Sequence, residues 1–457
     1  QVMLGYNDIE RRYYKPKRTE NGNVVIIGAP GQGKTTLMRN MIKELQGIVV
    51  VFDPGGDMYV PGETLISYNL ESQYGINPLM IGTDPQNGGP RVQTLIMLEF
   101  LKGQFRGMGA LQADAMRRIL DRLYGLYGIT EDPATWMNVC PDMKDVVAFV
   151  GCLHNLLAQG YYGWTKDLRK NEDARGIVYK YLEALGWNEK MEEVAANLAA
   201  DPDYQMPSEQ IDQYNRYRMN SSNIEKLHVR LVKIQANIDF FQERIDDARN
   251  EGGEHELRIG ESVNFAKFAD DFWADPQQIK TLRSYMDLLD TSGIFGPKIP
   301  NFDRPGIYRI ELIHLESAPR QLLVETIMRT IMRDRQRVGH ENWEYPIYLF
   351  HDEAKETLDK HARNPYAIPM RIGQQGRKYG IRYIVAGQSD KMLPVDMRTA
   401  FHYRVIMSVG GDGEVLKGLA RQFGVSEDTL RALKRGTALL GEGGDPFSIF
   451  NMRPFDE

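Results

Sequence analysis

The stretch that decides the fold is GAPGQGKTT, residues 28–36. It matches the pattern G-x-x-x-x-G-K-[ST] in full, with Gly28, Gly33, Lys34 and Thr35 at the specified positions. Glycines let successive backbone N–H groups turn toward an anion, and the N-terminus of a following helix adds its positive dipole. The stretch therefore predicts a loop that holds the phosphates of a nucleoside triphosphate.

The segments around this loop predict a parallel α/β sheet. The run VVII at residues 24–27 is apolar and β-branched, as in a buried strand, and IVVVF at residues 48–52 is a second such run. Between them lies a helical pattern whose apolar residues share one side: Leu37, Met38, Met41, Ile42 and Leu45. The order strand, helix, strand is typical of parallel α/β proteins.

Individual residues of the loop have expected roles. Lys34 reaches the β- and γ-phosphates, and the Thr35 hydroxyl coordinates Mg²⁺. We expect the loop to contact the nucleotide through Gly28, Pro30, Gly31, Gln32, Gly33, Lys34, Thr35 and Thr36. The expected cofactors are therefore ATP and Mg²⁺.

An acidic pair follows another buried run. Asp352 and Glu353 come after the apolar residues 347–350, with His351 between. An acidic residue at the carboxyl end of a neighbouring parallel strand faces a phosphate loop. We expect Asp352 to hold Mg²⁺ through water, and Glu353 to orient and deprotonate the attacking water. His351 is expected to be packed or solvated rather than catalytic.

The composition is that of an ordinary globular protein. The chain has 457 residues, 42% hydrophobic and 26% charged, with a formal net charge of -6. This net charge does not by itself indicate a nucleic-acid-binding protein. It does not exclude one either, because a narrow channel for nucleic acid needs only a few local cations. Two cysteines exclude a disulfide scaffold and favour a reducing, intracellular compartment. No apolar stretch near 18 residues and no signal peptide is found. Because the chain begins with Gln1, we expect a processed or excised piece.

The composition and the hydrophobic pattern of the sequence divide the chain into four parts. Residues 1–22 are polar and basic, and we expect a lead-in segment there. Residues 23–88 form the first half of the α/β core, and residues 89–300 an α-helical insertion in which strand-like runs are scarce. Residues 301–457 form the second half of the core. No internal repeat is found.

The clearest helix of the insertion follows Ser221, Ser222 and Asn223, which offer an N-cap, and is expected to end at Gly252-Gly253. Its apolar residues alternate at spacings of three and four, as in an a/d seam. They are Ile224, Leu227, Leu231, Ile234, Ile238, Phe241 and Ile245. The pattern favours packing within a bundle, and a seam for another subunit is the alternative.

The second half of the core contains six further strand patterns and one long helix. The strands lie at residues 307–312, 347–350, 383–386, 403–407 and 438–440, and a sixth short run lies at residues 447–450. The helix has an apolar stripe of Leu322, Leu323, Ile327 and Ile331. These patterns extend the sheet that the phosphate loop begins.

Five stretches, in this order, resemble the HerA/FtsK superfamily of ring-forming translocating ATPases. They are FDPGGDM at residues 52–58, INPL at residues 76–79, the strand and long helix at residues 306–335, the Asp352-Glu353 strand, and GRKYGIRYIVAGQSD at residues 376–390. The Asn-Pro-Leu and the helical insertion look most like the conjugation branch, the type IV secretion ATPases and coupling proteins. The resemblance covers about half the chain and implies a RecA-like P-loop core, largely parallel, interrupted by the α-helical insertion.

The resemblance also implies a ring, usually a hexamer, with ATP at subunit interfaces. Gln388 would then be the sensor of the γ-phosphate or the water, and Arg377 the arginine that reaches into the neighbouring subunit's site. Arg371 is the competing candidate, and Arg398 and Arg404 are weaker ones. The alternative for Arg377 is a cation that complements a helix end before the stop at Gly380.

Other polar residues leave alternatives open. Asp53 and Asp57 either shape the nucleotide pocket or cap a turn. Two basic stretches are candidates for gripping nucleic acid. One carries Lys166, Arg169 and Lys170, the other Arg216 and Arg218 interleaved with Tyr214 and Tyr217. The alternative, a solvated loop, is the favoured interpretation for both stretches.

Together these features predict an ATPase that translocates DNA, with double-stranded DNA favoured, as in conjugative transfer. A type IV secretion ATPase that energises export or pilus assembly is the alternative. A regulatory nucleotide switch and a small-molecule kinase are disfavoured, because Glu353 and Gln388 suit a turnover enzyme and no compact lid is found. The expected partners are DNA and further copies of the chain. The expected location is cytoplasmic, including the inner face of the membrane within a transfer or secretion complex.

Overall fold

The computed structural model describes most of the chain, in two compact units. The described residues are 1–18, 20–69, 71–83, 85, 88–105, 107–157, 167, 173–251, 272, 276–296, 298–340, 342–355, 358, 367–389, 393–410 and 413–454. The core unit comprises residues 1–78, 82–87 and 292–457, and the helical unit residues 79–81 and 88–291.

The core unit is built on one sheet of eleven strands, in the spatial order β2-β1-β11-β10-β9-β3-β8-β7-β4-β6-β5. The strands are β1 (Val2–Tyr6), β2 (Arg11–Tyr14), β3 (Val24–Ile27), β4 (Ile48–Asp53), β5 (Thr64–Ser67), β6 (Gly306–Glu311), β7 (Ile347–His351), β8 (Ile381–Gly387), β9 (Tyr403–Met407), β10 (Thr437–Glu442) and β11 (Ser448–Met452).

The strands from β9 to β5 all pair in parallel, whereas the pairs from β2 to β9 are antiparallel. Every residue of β3, β4, β7 and β8 is buried. Strands buried on both faces read as continuous apolar runs, and this is why the sequence patterns located them. The expected fold class, a largely parallel α/β core, is confirmed.

The helices are numbered along the whole chain. Those of the core unit are α1 (Lys34–Glu44), α10 (Ser317–Val338), α11 (Ile368–Gln375), α12 (Gly413–Phe423) and α13 (Glu427–Arg431). Those of the helical unit are α2 (Pro90–Gln104), α3 (Ala110–Leu126), α4 (Met143–Leu156), α5 (Ala174–Ala184), α6 (Glu189–Ala200), α7 (Ile211–Met219), α8 (Ser221–Glu251) and α9 (Pro276–Asp290).

Residues 1–22 differ from the expected lead-in segment, because they contain two strands of the main sheet. β1 pairs with β11 and with β2. Tyr14 at the end of β2 is 1% exposed, and its hydroxyl donates to the Gly22 carbonyl at 2.7 Å. Arg382 of β8 donates to the carbonyls of Pro16 and Lys17, each at 3.3 Å. β2 is the edge strand and carries polar residues, whereas β1 is a five-residue, mostly apolar run that lies between β2 and β11. The basic residues that follow β1 dominate the composition of residues 1–22 and obscure this short run.

In the helical unit, helix α8 packs as expected in a bundle. Its buried seam residues are Ile224, Leu227, Leu231, Ile234, Phe241 and Ile245. Arg244, on the same helix, forms ion pairs of 2.7 Å with both Asp142 and Asp145 at the start of α4. The expected stop at Gly252-Gly253 lies outside the described residues. Within residues 88–291, the described part contains helices and turns and no strand.

The chain segments that leave and re-enter the core lie against each other within the core unit. The Gly75 N–H donates to the Lys298 carbonyl at 2.8 Å, and the Ile76 N–H to the Ile294 carbonyl at 2.9 Å. A Cβ on Gly75 would clash with the Gly296 backbone, and a Cβ on Gly296 would clash with the Tyr74 backbone, so both positions need glycine. These contacts explain why residues 292–300 group with the core unit, although the expected insertion extended to residue 300.

Over the described part of the chain, none of the helices combines the length and the apolar character that crossing a bilayer requires.

Candidate functional site

Three neighbouring parallel strands present polar residues at one edge of the sheet. β8 lies between β3 and β7, with Ile27 opposite Gly387 and His351 opposite Val385. The residues that follow these strands are the phosphate loop, Gln388 and the acidic pair. Because the carboxyl ends of parallel strands meet at one edge, the topology brings these three groups together.

We expected the acidic strand to be the immediate neighbour of the phosphate-loop strand, and it is not. β8 intervenes, so the strand that carries Gln388 pairs directly with β3. Sequence order does not fix spatial order in a parallel sheet, because a crossover connection can skip one strand position.

Hydrogen bonds from two neighbouring strands hold the phosphate loop. The Gly28 N–H donates to the Gly387 carbonyl at 3.1 Å, and the Ala29 N–H donates to the Ser408 carbonyl at 2.8 Å. A Cβ on Gly28 would lie 2.9 Å from the Met407 Cβ, which is a steric clash. A change of side-chain rotamer cannot remove this clash, because the position of the Met407 Cβ is set by the backbone. Glycine at this position therefore allows the loop to lie against β9.

The middle of the loop has the backbone conformation that an anion cradle needs. Gly31 has φ 74° and Gly33 has φ 101°, both in the left-handed region that glycine adopts at low cost. Gly33 is also the N-cap of α1, and no side chain caps this helix end. The first N–H groups of α1 are thus left to an external acceptor, which suits phosphate.

Lys34 is folded over its own loop. Its ammonium donates to the carbonyls of Gly28 at 2.8 Å and Ala29 at 3.1 Å. Burial lowers the pKa of Lys34, while the charges of Asp352 and Glu353 act in the opposite direction. Lys34 therefore lies within electrostatic reach of the acidic pair.

The other loop residues differ in exposure. Pro30 and Gly31 are exposed, whereas Thr35 and Thr36 are half-buried at the start of α1. Gln32 is half-buried, and its Oε1 is buried without a hydrogen-bond partner in the described structure.

Asp352 and Glu353 have different environments. Burial raises the pKa of Asp352, and the charges of Glu353 and Asp57 raise it further, while Lys34 lowers it. Glu353 is exposed, and its N–H donates to Asp352 Oδ1 at 2.9 Å. Its φ is 48°, in the left-handed region. Such a conformation costs a glutamate about 1–2 kcal/mol, and strain of this kind clusters at functional sites.

The donor set fits magnesium in its chemistry. The Thr35 hydroxyl and the Asp352 carboxylate supply the oxygen ligands that Mg²⁺ prefers alongside phosphate and water. The described residues form no group of three or more His, Cys, Asp or Glu side chains that could hold a metal ion by themselves. A site completed by a nucleotide is consistent with both observations.

The candidate arginines occupy different environments. Arg377 is exposed in the turn Gly376–Tyr379, ahead of β8 and at the sheet edge opposite Gln388. Gly380 ends this turn with φ 71°, as expected of a helix stop. Arg371 of α11 is half-buried, and its charge helps to lower the pKa of Arg329, which burial lowers most. Arg398 is half-buried as well.

Arg404 is held within the sheet. It lies in β9, and its Nε donates to the Phe401 carbonyl at 3.3 Å. Burial lowers its pKa. Its position makes it an unsuitable group for reaching another molecule.

Asp53 has a structural role. Its carboxylate is fully buried and accepts from the N–H groups of Gly56 at 2.8 Å and Met58 at 3.1 Å. Arg309 of β6 donates to it at 3.0 Å. Of the two alternatives for Asp53, the structure shows the capped turn. Asp57 is exposed, and its charge contributes to the raised pKa of Asp352.

His351 is packed, in agreement with the expectation. It is 4% exposed, and its Nδ1 shares a hydrogen bond of 2.8 Å with the Tyr383 hydroxyl. Burial lowers its pKa to about 4, so the imidazole is neutral at neutral pH. Met407 and Ser408, which contact the loop through Gly28 and Ala29, were not anticipated, because only strand pairing brings them there.

Of the two basic stretches, only the second lies within the described residues. Lys166, Arg169 and Lys170 lie outside the described residues. Arg216 and Arg218 are exposed on helix α7, and the rings of Tyr214 and Tyr217 stack with their centroids 6.1 Å apart. The second stretch is thus a helix and not the loop that its composition favours.

Comparison with known proteins supports the resemblance to the conjugation branch. A family model described as the type IV secretion-system coupling protein DNA-binding domain matches residues 15–61, which include the phosphate loop. Comparison with curated proteins gave no match.

One solved structure shares the fold of the whole chain. It is VirB4 of Thermoanaerobacter pseudethanolicus, which matches at 14% sequence identity with a TM-score of 0.52, over 100% of this chain and 96% of that chain. At this identity the likeness shows the fold alone. The genome packaging NTPase B204 from Sulfolobus turreted icosahedral virus 2 matches at 11% identity with a TM-score of 0.25, over 33% of this chain and 69% of that chain. That score is too low to support an argument.

Proposed function

We propose that the chain hydrolyses ATP as a subunit of a hexameric ring motor that translocates DNA, with double-stranded DNA favoured, in a conjugation-type transfer system. The observation that carries the proposal is the constellation at one sheet edge: phosphate loop, sensor strand and acidic strand are consecutive in space. The family model over residues 15–61 supports the choice of DNA as cargo.

Within one subunit, each residue of the constellation has a proposed role. The loop N–H groups and Lys34 bind the phosphates. Glu353, exposed beside the more buried Asp352, takes a proton from the attacking water. Gln388 contacts the γ-phosphate or that water. Thr35 and Asp352 would hold Mg²⁺, which neutralises phosphate charge when bound.

The position of Arg377 favours action on a neighbouring subunit. Arg377 and Gln388 stand at opposite ends of β8, whose seven residues span about 20 Å. Arg377 is therefore far from the site of its own chain, and it is exposed. Arg371 is half-buried beside Arg329, so we prefer Arg377 as the residue that stabilises charge across a subunit interface.

We place the ring on the cytoplasmic side, at the inner face of the membrane within a transfer complex. Arg216 and Arg218 of α7, with the stacked Tyr214 and Tyr217, are the proposed phosphate contacts among the described residues.

A second candidate is a type IV secretion ATPase that energises substrate export or pilus assembly without moving DNA itself. The family model is described as part of a type IV secretion system, and this description supports the alternative as well. Both candidates share the ATPase site and the ring, and they differ in the cargo.

Steady-state ATPase assays with and without DNA test the proposal. We expect Mg²⁺-dependent turnover that Lys34→Ala abolishes, because the variant loses its phosphate contact, and that double-stranded DNA stimulates. The matched control is Lys43→Ala, an exposed lysine in the last turn of the same helix.

The outcomes separate the candidates. Turnover that DNA does not stimulate, in an assembled ring, would favour the secretion ATPase. A chain that binds ATP but shows no turnover in any oligomeric state would overturn both in favour of a nucleotide switch.

A further inference from the structure

A second cavity in the core unit lies at the sheet edge opposite the phosphate loop. Its volume is about 350 Å³, within the range of small-molecule sites. The first residues of β4 and β7, Ile48 and Ile347, line it together with the last turns of α10. The phosphate loop follows the carboxyl end of β3, so this cavity belongs to neither the nucleotide nor its proposed contacts.

A buried arginine without a carboxylate partner lines this cavity. Arg335 of α10 is 8% exposed, and its Nη2 donates to the Tyr345 carbonyl at 2.7 Å. No carboxylate pairs with it among the described residues, and burial lowers its pKa to about 10 with no charged neighbour contributing. A buried cation is ordinarily paired, because leaving water costs several kcal/mol. The carboxyl end of α10 supplies only about half a negative charge.

The wall of the cavity also contains a hydrogen-bond donor without an acceptor among the described residues. Trp343 lines the cavity and is 5% exposed, and its indole N–H has no acceptor in the described structure. Buried Trp N–H groups usually find a partner. The Arg18 guanidinium carbon lies 4.4 Å from the centroid of the Trp343 ring, and Gly380 packs so closely against that ring that a Cβ there would clash with it. These contacts hold the indole in place.

The remaining lining selects the class of ligand. Phe302, Ile331 and Val338 add apolar surface, which suits an apolar body. Asp303, Asp334 and Glu344 are exposed and line the rim, where they disfavour a multiply charged anion such as a phosphate ester.

We propose that this cavity binds a small amphipathic monocarboxylate, with its carboxylate on the Arg335 guanidinium and its apolar body against Ile48, Ile331 and Ile347. The carboxylate of the ligand is the anionic partner that Arg335 lacks among the described residues, and the apolar body of the ligand covers the apolar wall of the cavity. The inference is independent of the proposed ATPase.

Isothermal titration calorimetry on the full chain tests the proposal, with 4-phenylbutyrate as the probe. Its amide, 4-phenylbutyramide, keeps the shape and removes the charge, and phenyl phosphate carries a second charge. We expect the carboxylate to bind at least about tenfold more tightly than either analogue, because an ionised acceptor strengthens the bond to a guanidinium. The Trp343 indole ¹H–¹⁵N resonance should shift on titration.

Two variants and one matched control complete the design. Arg335→Met should remove the preference for carboxylate over amide. Val338→Trp changes a residue that is 49% exposed, so it leaves the fold intact while filling the cavity, and should abolish binding. Arg337→Met, at an exposed arginine of the same helix outside the cavity lining, should bind like the parent.

Three results would overturn the proposal. They are no binding of 4-phenylbutyrate at millimolar concentration, equal binding of acid and amide, and unchanged binding in Val338→Trp. Circular dichroism and urea unfolding of each variant show independently that it is folded.

Discussion

At the scale of single residues, Glu353 combines backbone strain with a position at the candidate site. Among the described residues it is the one non-glycine with positive φ. The hydrogen bond from its N–H to Asp352 Oδ1 and the bond from the Ala354 N–H to the Ala386 carbonyl, 3.2 Å, hold the turn in this conformation. A glutamate kept at this cost is consistent with the proposed role as general base.

Substitutions at Glu353 should separate strain from chemistry. The unfolding free energy of Glu353→Gly should be about 1 kcal/mol higher than that of Glu353→Ala. Alanine at this position retains the strain of the left-handed backbone conformation, whereas glycine does not. Both variants, and Glu353→Gln, should lose about 100-fold or more in turnover. Urea unfolding and steady-state ATPase assays give the two quantities.

Two outcomes would count against this account of Glu353. Equal stability of the glycine and alanine variants would mean that the turn relaxes in solution. Turnover that survives in Glu353→Gln would remove Glu353 as the base.

The burial of His351 predicts that the stability of the core unit depends on pH. The pKa of His351 is about 4 in the folded chain, lowered by burial against Phe52 and Tyr383, and about 6.5 when unfolded. The unfolded state therefore binds more protons below pH 6.5, and stability falls as the pH drops from 6.5 toward 4. Between pH 7 and pH 5 the parent should lose about 2 kcal/mol more than His351→Gln, as measured by urea unfolding.

The control for this measurement is His314→Gln. His314 is exposed, so the variant should follow the parent at both pH values. A parallel pH dependence in parent and His351→Gln would show that His351 titrates normally and is not buried in solution.

At the scale of elements, residues 1–22 extend the core sheet. Tyr14 packs edge-on against Tyr348 of β7 at 6.3 Å and Tyr403 of β9 at 5.0 Å. Arg382 of β8 donates to the Tyr348 hydroxyl at 2.9 Å and lies over its ring. These contacts tie the first two strands to the strands that carry the candidate site.

Truncating Tyr14 should therefore destabilise the core unit. We expect Tyr14→Ala to lower the unfolding free energy by about 3–5 kcal/mol, and Tyr14→Phe by about 1 kcal/mol through loss of the bond to Gly22. Urea unfolding measures both. Tyr6→Ala, at a tyrosine of β1 that is 42% exposed, should change it by less than about 0.5 kcal/mol. Equal effects at Tyr14 and Tyr6 would contradict the packing described here.

At the scale of the whole molecule, the residues at the two ends of β8 are predicted to act in different ATP sites. Gln388 would act in the site of its own subunit, and Arg377 in the site of the neighbouring subunit. If Arg377 serves the neighbouring site, Lys34→Ala and Arg377→Ala should each be inactive alone. Mixing them one to one should restore about a quarter of the interfaces, those that combine an intact loop with an intact arginine. ATPase activity of the mixed assembly measures this.

The same mixing experiment with Arg371→Ala provides the comparison. We expect no restoration there, because Arg371 is half-buried and sits beside Arg329. Restoration by Arg371→Ala and none by Arg377→Ala, in assembled rings, would exchange the two assignments.

The sequence by itself determined the phosphate loop, its flanking strand and helix, and the buried strands, because runs such as VVII and IVVVF must be covered on both faces. It also located Asp352, Glu353 and Gln388 at strand ends. Those patterns are local, and local sterics and burial suffice to specify them.

Tertiary structure alone decided which strands are neighbours, because pairing joins residues that are far apart in the chain. It placed β8 between β3 and β7, assigned Asp53 to a capped turn with Arg309, and added β1 and β2 to the sheet. It also brought Arg335 and Trp343 to one cavity. Each depends on long-range contacts whose partners no local pattern specifies, and so the sheet order and the second cavity could be read only from the folded chain.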